Sequence, residues 1–323
     1  MEINSDVLDH IGNTPIVELH KITKDVSSKI FAKVEYVNPS GSIKDRMAIY
    51  IINDAIERGL LKPGGTIVEN SSGNTGSALA MIAAVKGYKC IITMPDKMSK
   101  EKQNMMRAYG AEVVVTPTEV PADSPESYYS VAKRIAQETP NSYYPDQYNN
   151  PKNIDAHYYS TGPEIWKQTN GTIDVLVAGI GTGGTLSGAG RFLKEKNQDI
   201  QIIAVDPIGS VFYDYFKTGK LPQPQAYQVE GIGEDYLVKA VDFDIIDDII
   251  QVNDSHSFQM TRRLASEEGL FAGGSSGSNV WAAVEFAKKL TEPKNIVVIL
   301  PDSGNRYVSK IYNDEWMRSN GYL

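Results

Sequence analysis

The sequence predicts an α/β protein with mostly parallel sheets covered on both faces by helices. First, strand-like apolar runs alternate with helix-like segments along most of the 323 residues, which is the pattern of repeated βαβ units. Second, no repeat, low-complexity tract or charge block interrupts this alternation. Third, the composition is that of an ordinary globular protein, 41% hydrophobic and 22% charged. At roughly 100 to 200 residues per domain, the length allows one large or two medium domains.

The first half of the chain contains four pairs of a strand and a helix. The first strand, residues 30–37, alternates apolar and polar side chains and is broken by Pro39 and Gly41. From Lys44 onward, apolar residues recur at helical spacing until Gly59. Further strands are predicted at residues 66–69, 90–94 and 113–115, and the helices that follow them at residues 75–85, 99–109 and 125–136.

The second half resumes the alternation after an irregular segment. Between residues 142 and 153, Tyr, Pro and Asn replace the periodic pattern, which favours a crossing between domains. Strands are predicted at residues 175–179, 200–205 and 295–300, and helices at residues 185–194 and 278–290. Because ligands of open parallel sheets bind beyond the carboxyl ends of the strands, the loops at those ends are the candidate functional sites.

Charge and composition exclude several classes of function. A net charge of -8, a pI near 5.2 and the lack of a basic cluster argue against nucleic-acid binding. No apolar run approaches the roughly 20 residues of a membrane helix and no signal-peptide pattern begins the chain, so we expect a cytoplasmic protein without membrane contact. The single cysteine, Cys90, indicates a reducing compartment and a buried structural thiol. The four histidines lack metal-ligand spacing, so we expect no metal.

A lysine at the start of a predicted helix is the first candidate for chemistry. Lys44 follows the turn that contains Pro39 and Gly41. In the first helical turn, unpaired backbone N–H groups and the positive end of the helix dipole disfavour an ammonium and favour the neutral amine that Schiff-base chemistry requires. A solvated lysine in an ordinary charged helix start, with Asp45 and Arg46, is the competing interpretation.

Two loops that connect a strand to a helix suit anions. Residues 68–76 carry small hydroxyl and amide side chains that would surround a carboxylate at a helix N-terminus, although a plain Ser/Asn helix cap explains the same pattern. Residues 178–188 are rich in glycine and would hold a phosphate through amides and threonine hydroxyls. They lack the ending of a P-loop, and a dinucleotide fingerprint at Gly179, Gly181 and Gly184 is a weak match.

Two further small-residue loops lie at residues 268–278 and 300–305. Each could be a simple turn. Together with the amine of Lys44, the carboxylate loop and the phosphate loop, they predict a pocket for a phosphorylated aldehyde and an amino acid.

With these motifs in this order, the chain resembles the fold type II family of pyridoxal-phosphate enzymes, which includes cysteine synthase and cystathionine β-synthase. The resemblance runs from residues 11–15 (Ile-Gly-Asn-Thr-Pro) to residues 301–303 (Pro-Asp-Ser). It implies a tryptophan synthase β-like fold of two three-layer αβα domains. Residues 1–40 plus 148–323 would form the large cofactor-binding domain, and residues 41–147 the small mobile substrate-binding domain.

The resemblance also implies the roles of single residues. Lys44 would carry pyridoxal 5'-phosphate as a Schiff base and move the α-proton of the substrate, Asn74 would contact the cofactor 3-hydroxyl, and Ser303 its pyridine nitrogen. The cofactor phosphate would be bound by Gly181, Thr182, Gly183, Gly184 and Thr185. The substrate carboxylate would be bound by Ser71, Ser72, Gly73, Thr75 and Gln147. A serine at the ring nitrogen does not enforce a protonated ring, which favours loss of a β-substituent over transamination.

Four stretches resemble the cystathionine β-synthase branch: residues 123–127, 146–149, 229–237 and 273–277. The implied reaction is β-replacement on serine or an activated serine through an aminoacrylate, with homocysteine added to form cystathionine. Gly231, Glu234 and Asp235 would contact an amino-acid substrate, although a solvated loop explains the acidic pair equally well. Ser71 stands where the family usually has threonine, which leaves the choice of substrate open.

Several alternatives remain at this point. Within the family they are a cysteine synthase that uses O-acetylserine and sulfide, and a cysteine-consuming enzyme that makes lanthionine and hydrogen sulfide. Outside it they are a non-catalytic ligand-binding protein on the same scaffold and a nucleotide-dependent oxidoreductase. The family implies small amino-acid substrates and a homodimer. We expect neither haem nor a response to adenosylmethionine, because the segments that bind them in relatives do not flank this core.

Overall fold

The computed structural model describes residues 4–121 and 123–323, so residues 1–3 and 122 of the predicted domains lie outside the description. Its strands are β1 (Ile16–Glu18), β2 (Lys29–Val34), β3 (Thr66–Asn70), β4 (Lys89–Pro95), β5 (Glu112–Thr116), β6 (Ser142–Tyr143), β7 (Val175–Gly179), β8 (Gln201–Pro207), β9 (Asp248–Val252) and β10 (Asn295–Leu300). Its helices are α1 (Lys44–Glu57), α2 (Asn74–Lys86), α3 (Lys100–Ala108), α4 (Tyr128–Glu138), α5 (Lys152–Ala156), α6 (Gly162–Gln168), α7 (Gly184–Lys196), α8 (Phe212–Thr218), α9 (Asp254–Glu268), α10 (Gly274–Ala287) and α11 (Asp314–Ser319).

The described residues form two compact units. Unit 1 comprises residues 4–11 and Asn38–Asn153, and unit 2 comprises Gly12–Val37 and Ile154–Leu323. Residues 4–11, which the sequence assigns to the large domain, belong to unit 1, because Leu8 and Ile11 pack against its core.

Unit 1 is built on a four-stranded parallel sheet in the order β5-β4-β3-β6. All five residues of β3 are buried, as expected for a strand covered on both faces. The apolar core lies between this sheet and α1, α2 and α3, with Ile52, Leu79 and Ile92 among its fully buried members. The loop between β3 and α2 leaves the carboxyl end of a central strand, where ligands of such sheets bind.

Unit 2 is built on a six-stranded sheet in the order β1-β2-β10-β7-β8-β9. Only β1 is antiparallel to its neighbour, and the other pairs are parallel. Its core includes Val177, Val298 and Val280 from β7, β10 and α10. The two sheets and their helices confirm the predicted α/β class with mostly parallel strands.

Two elements of the structure have bounds that differ from those predicted from the sequence. The first strand stops at Val34, and Glu35–Val37 form a 3-10 turn in which the buried Glu35 carboxylate accepts the Thr14 hydroxyl at 2.6 Å. The predicted small-residue loop at residues 268–278 becomes helical from Gly274. A Cβ at Gly277 would lie 2.1 Å from the Ser257 carbonyl oxygen, so the small residues serve close packing of α10 on α9.

Candidate functional site

Lys44 is the first residue of α1, and its side chain is half-buried. The helix begins without a side-chain cap, because Ile43 occupies the N-cap position. The backbone N–H of Lys44 donates to the Ser42 hydroxyl at 3.3 Å. The structure therefore places the Lys44 amine on the first turn of a helix, as the sequence predicts.

The turn before Lys44 is held by a buried carboxylate. Asp45 accepts the backbone N–H of Ser40 at 2.7 Å and also the Ser40 hydroxyl. Gly41 has a φ of 86° and donates its N–H to the Asn38 carbonyl at 2.7 Å, a conformation that costs glycine little. These contacts fix the backbone from which the Lys44 side chain extends.

The loop between β3 and α2 is organised by Ser71. Its hydroxyl oxygen accepts the backbone N–H groups of Gly73 at 3.1 Å and Gly76 at 2.9 Å. Its hydroxyl hydrogen is thus left to donate to a ligand. Ser72 is exposed, and Asn74 is half-buried at the first position of α2. The predicted carboxylate-binding residues therefore lie at the N-terminus of a 13-residue helix.

The chain brings Gln147 to this loop from 72 residues away. The Thr75 hydroxyl donates to Gln147 Oε1 at 2.6 Å, and Gln147 Nε2 donates to the Asn70 carbonyl at 3.4 Å. Tyr144 donates its hydroxyl to Asn70 Oδ1. Thr75, Gln147 and Asn70 are each at least 96% buried, so these bonds form away from solvent. The structure thus unites Ser71, Gly73, Thr75 and Gln147, which the sequence assigns to one ligand.

Sequence reasoning missed Glu69, which lies directly before this loop in β3 and is fully buried. Burial raises the pKa of its carboxyl to about 8, although backbone N–H groups of Asn70, Gln147 and Asp146 oppose the shift. Among the described residues Glu69 forms no ion pair. An acidic residue directly after the apolar pair Ile67 and Val68, within a predicted strand, is the signal that could have revealed it.

In unit 2 the glycine-rich loop connects β7 to α7. Gly183 has a φ of 82°, and α7 begins after it without a side-chain cap. A Cβ at Gly181 would lie 2.7 Å from the Gly231 carbonyl oxygen. The loop therefore needs glycine for close backbone approach, and the open first turn of α7 with the hydroxyls of Thr182 and Thr185 fits a bound phosphate group.

His157 lies behind this loop, and sequence reasoning gave it no role. Its imidazole is buried on a π-helical turn, His157–Thr161, and contacts the Thr185 hydroxyl at 3.2 Å and the Thr161 hydroxyl at 2.8 Å. Single π-helical turns occur often at functional sites. The contact helps to orient Thr185, one of the predicted phosphate ligands.

The segment with Gly231, Glu234 and Asp235 packs against the same loop. Gly233 donates its N–H to the Ile180 carbonyl at 2.6 Å, and Glu234 donates its N–H to the Ser210 hydroxyl at 3.1 Å. Asp235 is exposed. In unit 2 the structure thus brings Gly231 next to Gly181 and anchors Glu234 to the loop that follows β8.

Ser303 follows β10 and is half-buried. Its hydroxyl oxygen accepts the Asn305 N–H at 3.3 Å. The hydroxyl hydrogen can therefore be donated to an acceptor that carries a lone pair, such as a pyridine nitrogen. An isolated bridge between Ser303 and Ala272 holds this segment beside the start of α10.

Within residues 4–121 and 123–323, no group of three His, Cys, Asp or Glu side chains is arranged to bind a metal ion. Over the same residues, no helix combines the length and the apolar character needed to cross a bilayer.

Comparison with known proteins identifies the family of the chain. The family model described as pyridoxal-phosphate dependent enzyme matches residues 7–302. The chain is 49% identical to a cystathionine β-synthase of Apis mellifera over 100% of its own length and 64% of that protein. It is 48% identical to a cystathionine β-synthase of Rattus norvegicus, of which it covers 58%. The chain thus spans about three fifths of the length of these relatives.

A shorter relative matches almost from end to end. The chain is 42% identical to a cysteine synthase of Staphylococcus aureus over 93% of its own length and 94% of that protein. The match of the family model covers Lys44, the carboxylate loop and the glycine-rich loop. The chain therefore belongs to the family of pyridoxal-phosphate-dependent enzymes.

Proposed function

We propose that this chain catalyses pyridoxal-phosphate-dependent β-replacement on serine or an activated serine, with homocysteine as the incoming thiol and cystathionine as the product. The observation that carries the proposal is that unit 1 joins a lysine at a helix start with a carboxylate-binding loop, in a chain whose family uses pyridoxal phosphate. The similarity to cystathionine β-synthases over the whole chain supports the choice of reaction.

When bound, pyridoxal phosphate supplies the electron sink that permits loss of the α-proton and of the β-substituent. The residues of the chain would do the rest. Lys44 would hold the cofactor covalently and afterwards carry the proton to and from the α-carbon. Gly181 to Thr185 would bind the phosphate group through N–H groups and hydroxyls, and Asn74 would contact the 3-hydroxyl.

Ser303 would donate its hydroxyl hydrogen to the ring nitrogen, consistent with its acceptance of the Asn305 N–H. A neutral hydroxyl leaves the ring unprotonated, so the residues around it favour departure of the β-substituent over transamination. Ser71, Ser72, Gly73, Thr75 and Gln147 would bind the substrate carboxylate and so orient the α-hydrogen toward the Lys44 amine. Gly231, Glu234 and Asp235 would contact the amino-acid part of a substrate.

A second candidate is a cysteine synthase that uses O-acetylserine and sulfide, favoured by the nearly complete match to the Staphylococcus aureus protein. Release of hydrogen sulfide from cysteine with formation of lanthionine is a variant of the same chemistry. Purified protein should be assayed with serine plus homocysteine, O-acetylserine plus sulfide, and cysteine alone. A clear preference for O-acetylserine with sulfide would overturn the first choice.

The cofactor assignment has its own test. The purified protein should show a visible absorption band, and Lys44→Ala should abolish both the band and the activity. Lys62→Ala, at an exposed position of the same unit, is the matched control and should leave both unchanged. A colourless wild-type protein with added cofactor would refute the proposal, whichever substrates are tried.

We further propose a cytoplasmic homodimer without haem, in which residues 41–147 form the small mobile domain. The single cysteine supports a reducing compartment. Light scattering after size exclusion should give a dimer mass, and the visible spectrum should lack the intense band of haem.

A further inference from the structure

The carboxylate loop in unit 1 has a buried acid beneath it. Glu69 accepts the backbone N–H of Asn70 at 3.1 Å with one oxygen and that of Gln147 at 3.4 Å with the other. The N–H of Asp146 also acts on this carboxyl. Two successive N–H groups that converge on one acid form a small nest, a geometry that binds carboxyl oxygens well.

The nest depends on an unusual backbone at Asp146. This residue has a φ of 51°, in the left-handed region that non-glycine residues seldom adopt. Asn149 donates its side-chain amide to the Asp146 carboxylate at 2.9 Å, and its N–H to the Asp146 carbonyl at 3.0 Å. The Glu69 carboxyl accepts the backbone N–H groups that this turn directs inward, so the carboxyl stabilises the turn and the turn holds the carboxyl in position.

The turn at Asp146 and Gln147 also determines the orientation of the Gln147 side-chain amide. Because the Asn70 carbonyl can only accept, Gln147 must turn Nε2 toward it, and the Thr75 hydroxyl then donates to Oε1 at 2.6 Å. Nε2 then donates one hydrogen to the Asn70 carbonyl, at 3.4 Å, and has a second hydrogen for a ligand. The side chain that is proposed to bind the substrate carboxylate is therefore oriented by contacts that begin at Glu69.

We propose that Glu69 is a positioning residue that holds the Asp146–Gln147 turn, so that the Gln147 amide is set to recognise the carboxylate of an amino-acid substrate. This inference rests on the proposed function, because it concerns the same carboxylate site. Glu69 acts through Gln147 and does not itself contact the substrate.

A carboxyl group suits this task better than an apolar side chain of the same size. An apolar side chain would leave the N–H groups of Gln147 and Asp146 without an acceptor in a buried site, and the turn would have to move to satisfy them. A glutamine keeps one acceptor oxygen, which can receive the N–H groups of Gln147 and Asp146, and loses only the acceptor of the Asn70 N–H, so it should hold the turn better than an apolar side chain does.

The test compares two ligands that differ only in the carboxylate. L-serine and L-serine methyl ester are titrated by calorimetry into the protein as purified with its cofactor. Glu69→Met should weaken the binding of L-serine by at least about tenfold, the worth of one hydrogen bond to a charged group, and leave that of the ester within about twofold. Glu69→Gln should weaken the binding of L-serine less than Glu69→Met does, and should leave that of the ester within about twofold. In turnover, Glu69→Met should raise KM far more than it lowers kcat.

Ile92→Val is the matched control. Ile92 pairs with Glu69 across β3 and β4 and is fully buried, yet it has no bond to Gln147. This variant loses packing in the same sheet and should bind both ligands as the wild type does. Two results would show a purely structural role and overturn the inference. One is that Glu69→Met weakens the binding of both ligands equally, and the other is that Ile92→Val weakens the binding of L-serine as much as Glu69→Met does.

The inference and the proposed function fail in different ways. Lack of a visible band in the wild-type protein would refute the function, whatever the variants bind. A wild-type protein that shows the band, binds L-serine better than the ester, and keeps that preference in Glu69→Met would refute the role of Glu69 alone.

Discussion

The buried carboxyl of Glu69 should make the free energy of unfolding depend on pH. Burial raises the pKa of Glu69 from 4.5 to about 8, so the folded protein holds this proton more tightly than the unfolded chain does. The stabilising effect of the proton is complete below pH 4.5, and it is lost as the pH rises toward 8. Burial is the largest cause of the raised pKa values of Cys90 and Tyr143, so most of that shift remains when only Glu69 is changed.

The magnitude follows from the same shift. Each pKa unit is worth about 1.4 kcal/mol, so between pH 5 and pH 9 the free energy of unfolding should fall by about 4 kcal/mol through Glu69 alone. Glu69→Gln cannot ionise and should not lose this amount. The variant should therefore gain about 4 kcal/mol over the wild type across this range, whatever its stability at pH 5.

Urea unfolding at several pH values measures the difference. All three tryptophans, Trp166, Trp281 and Trp316, lie in unit 2, so their fluorescence reports on that unit, whereas far-UV circular dichroism reports on both units. Glu112→Gln, at an exposed position on β5 of the same sheet, is the control and should show no pH-dependent difference. A constant difference between Glu69→Gln and the wild type from pH 5 to pH 9 would refute the argument that Glu69 is buried as a neutral acid.

Three further predictions concern unit 2. Glu268 accepts the backbone N–H groups of His20, Lys21 and Ile22 at 3.1, 2.6 and 2.8 Å. Glu268→Ala should lower the free energy of unfolding, measured by tryptophan fluorescence, by about 1 to 3 kcal/mol. The control Glu292→Ala, at an exposed position, should leave it unchanged. Lys33 is fully buried and forms an ion pair with Glu164 at 2.7 Å, so Lys33→Met should lower the free energy of unfolding by about 3 to 5 kcal/mol. The double variant with Glu164→Gln should lose clearly less than the sum of the losses in the two single variants. Gly181→Ala should weaken retention of pyridoxal phosphate during dialysis at least about tenfold, because its Cβ would meet the Gly231 carbonyl at 2.7 Å, and Gly219→Ala, in open space, should not.

The strands and helices that sequence periodicity predicts are those that form repeated βαβ units. The strand at residues 295–300 was predicted at the observed bounds of β10, because five of its six residues are buried and it therefore has a continuous apolar run. β9 and α9 were missed. The β9 segment, Asp248–Val252, begins with an acid and is only partly buried, since it lies at the edge of the sheet, and edge strands carry a weaker pattern.

The candidate site was predictable where function requires a particular residue type at a particular place. Lys44, Ser71 and Gly181 stand at helix starts that a turn signal marks in the sequence. The residues that orient them were not predictable, because their role depends on contacts between distant segments. Glu69 meets Gln147 across 78 residues, and His157 meets Thr185 across 28. No local pattern reports such a contact.

Ser71 shows how the sheet itself prepares the ligand loop. Its backbone N–H donates to the Thr93 carbonyl at 3.0 Å, which continues the pairing of β3 with β4 one residue beyond the strand. Its hydroxyl oxygen meanwhile accepts two N–H groups of the turn into α2. The same residue thus ends the sheet through its backbone N–H and supports the helix start through its hydroxyl, and neither task needs the methyl of a threonine. Serine in place of the threonine that the resemblance leads us to expect therefore keeps the framework of this loop, and any effect on the proposed choice of substrate must come from the space that the methyl group would occupy.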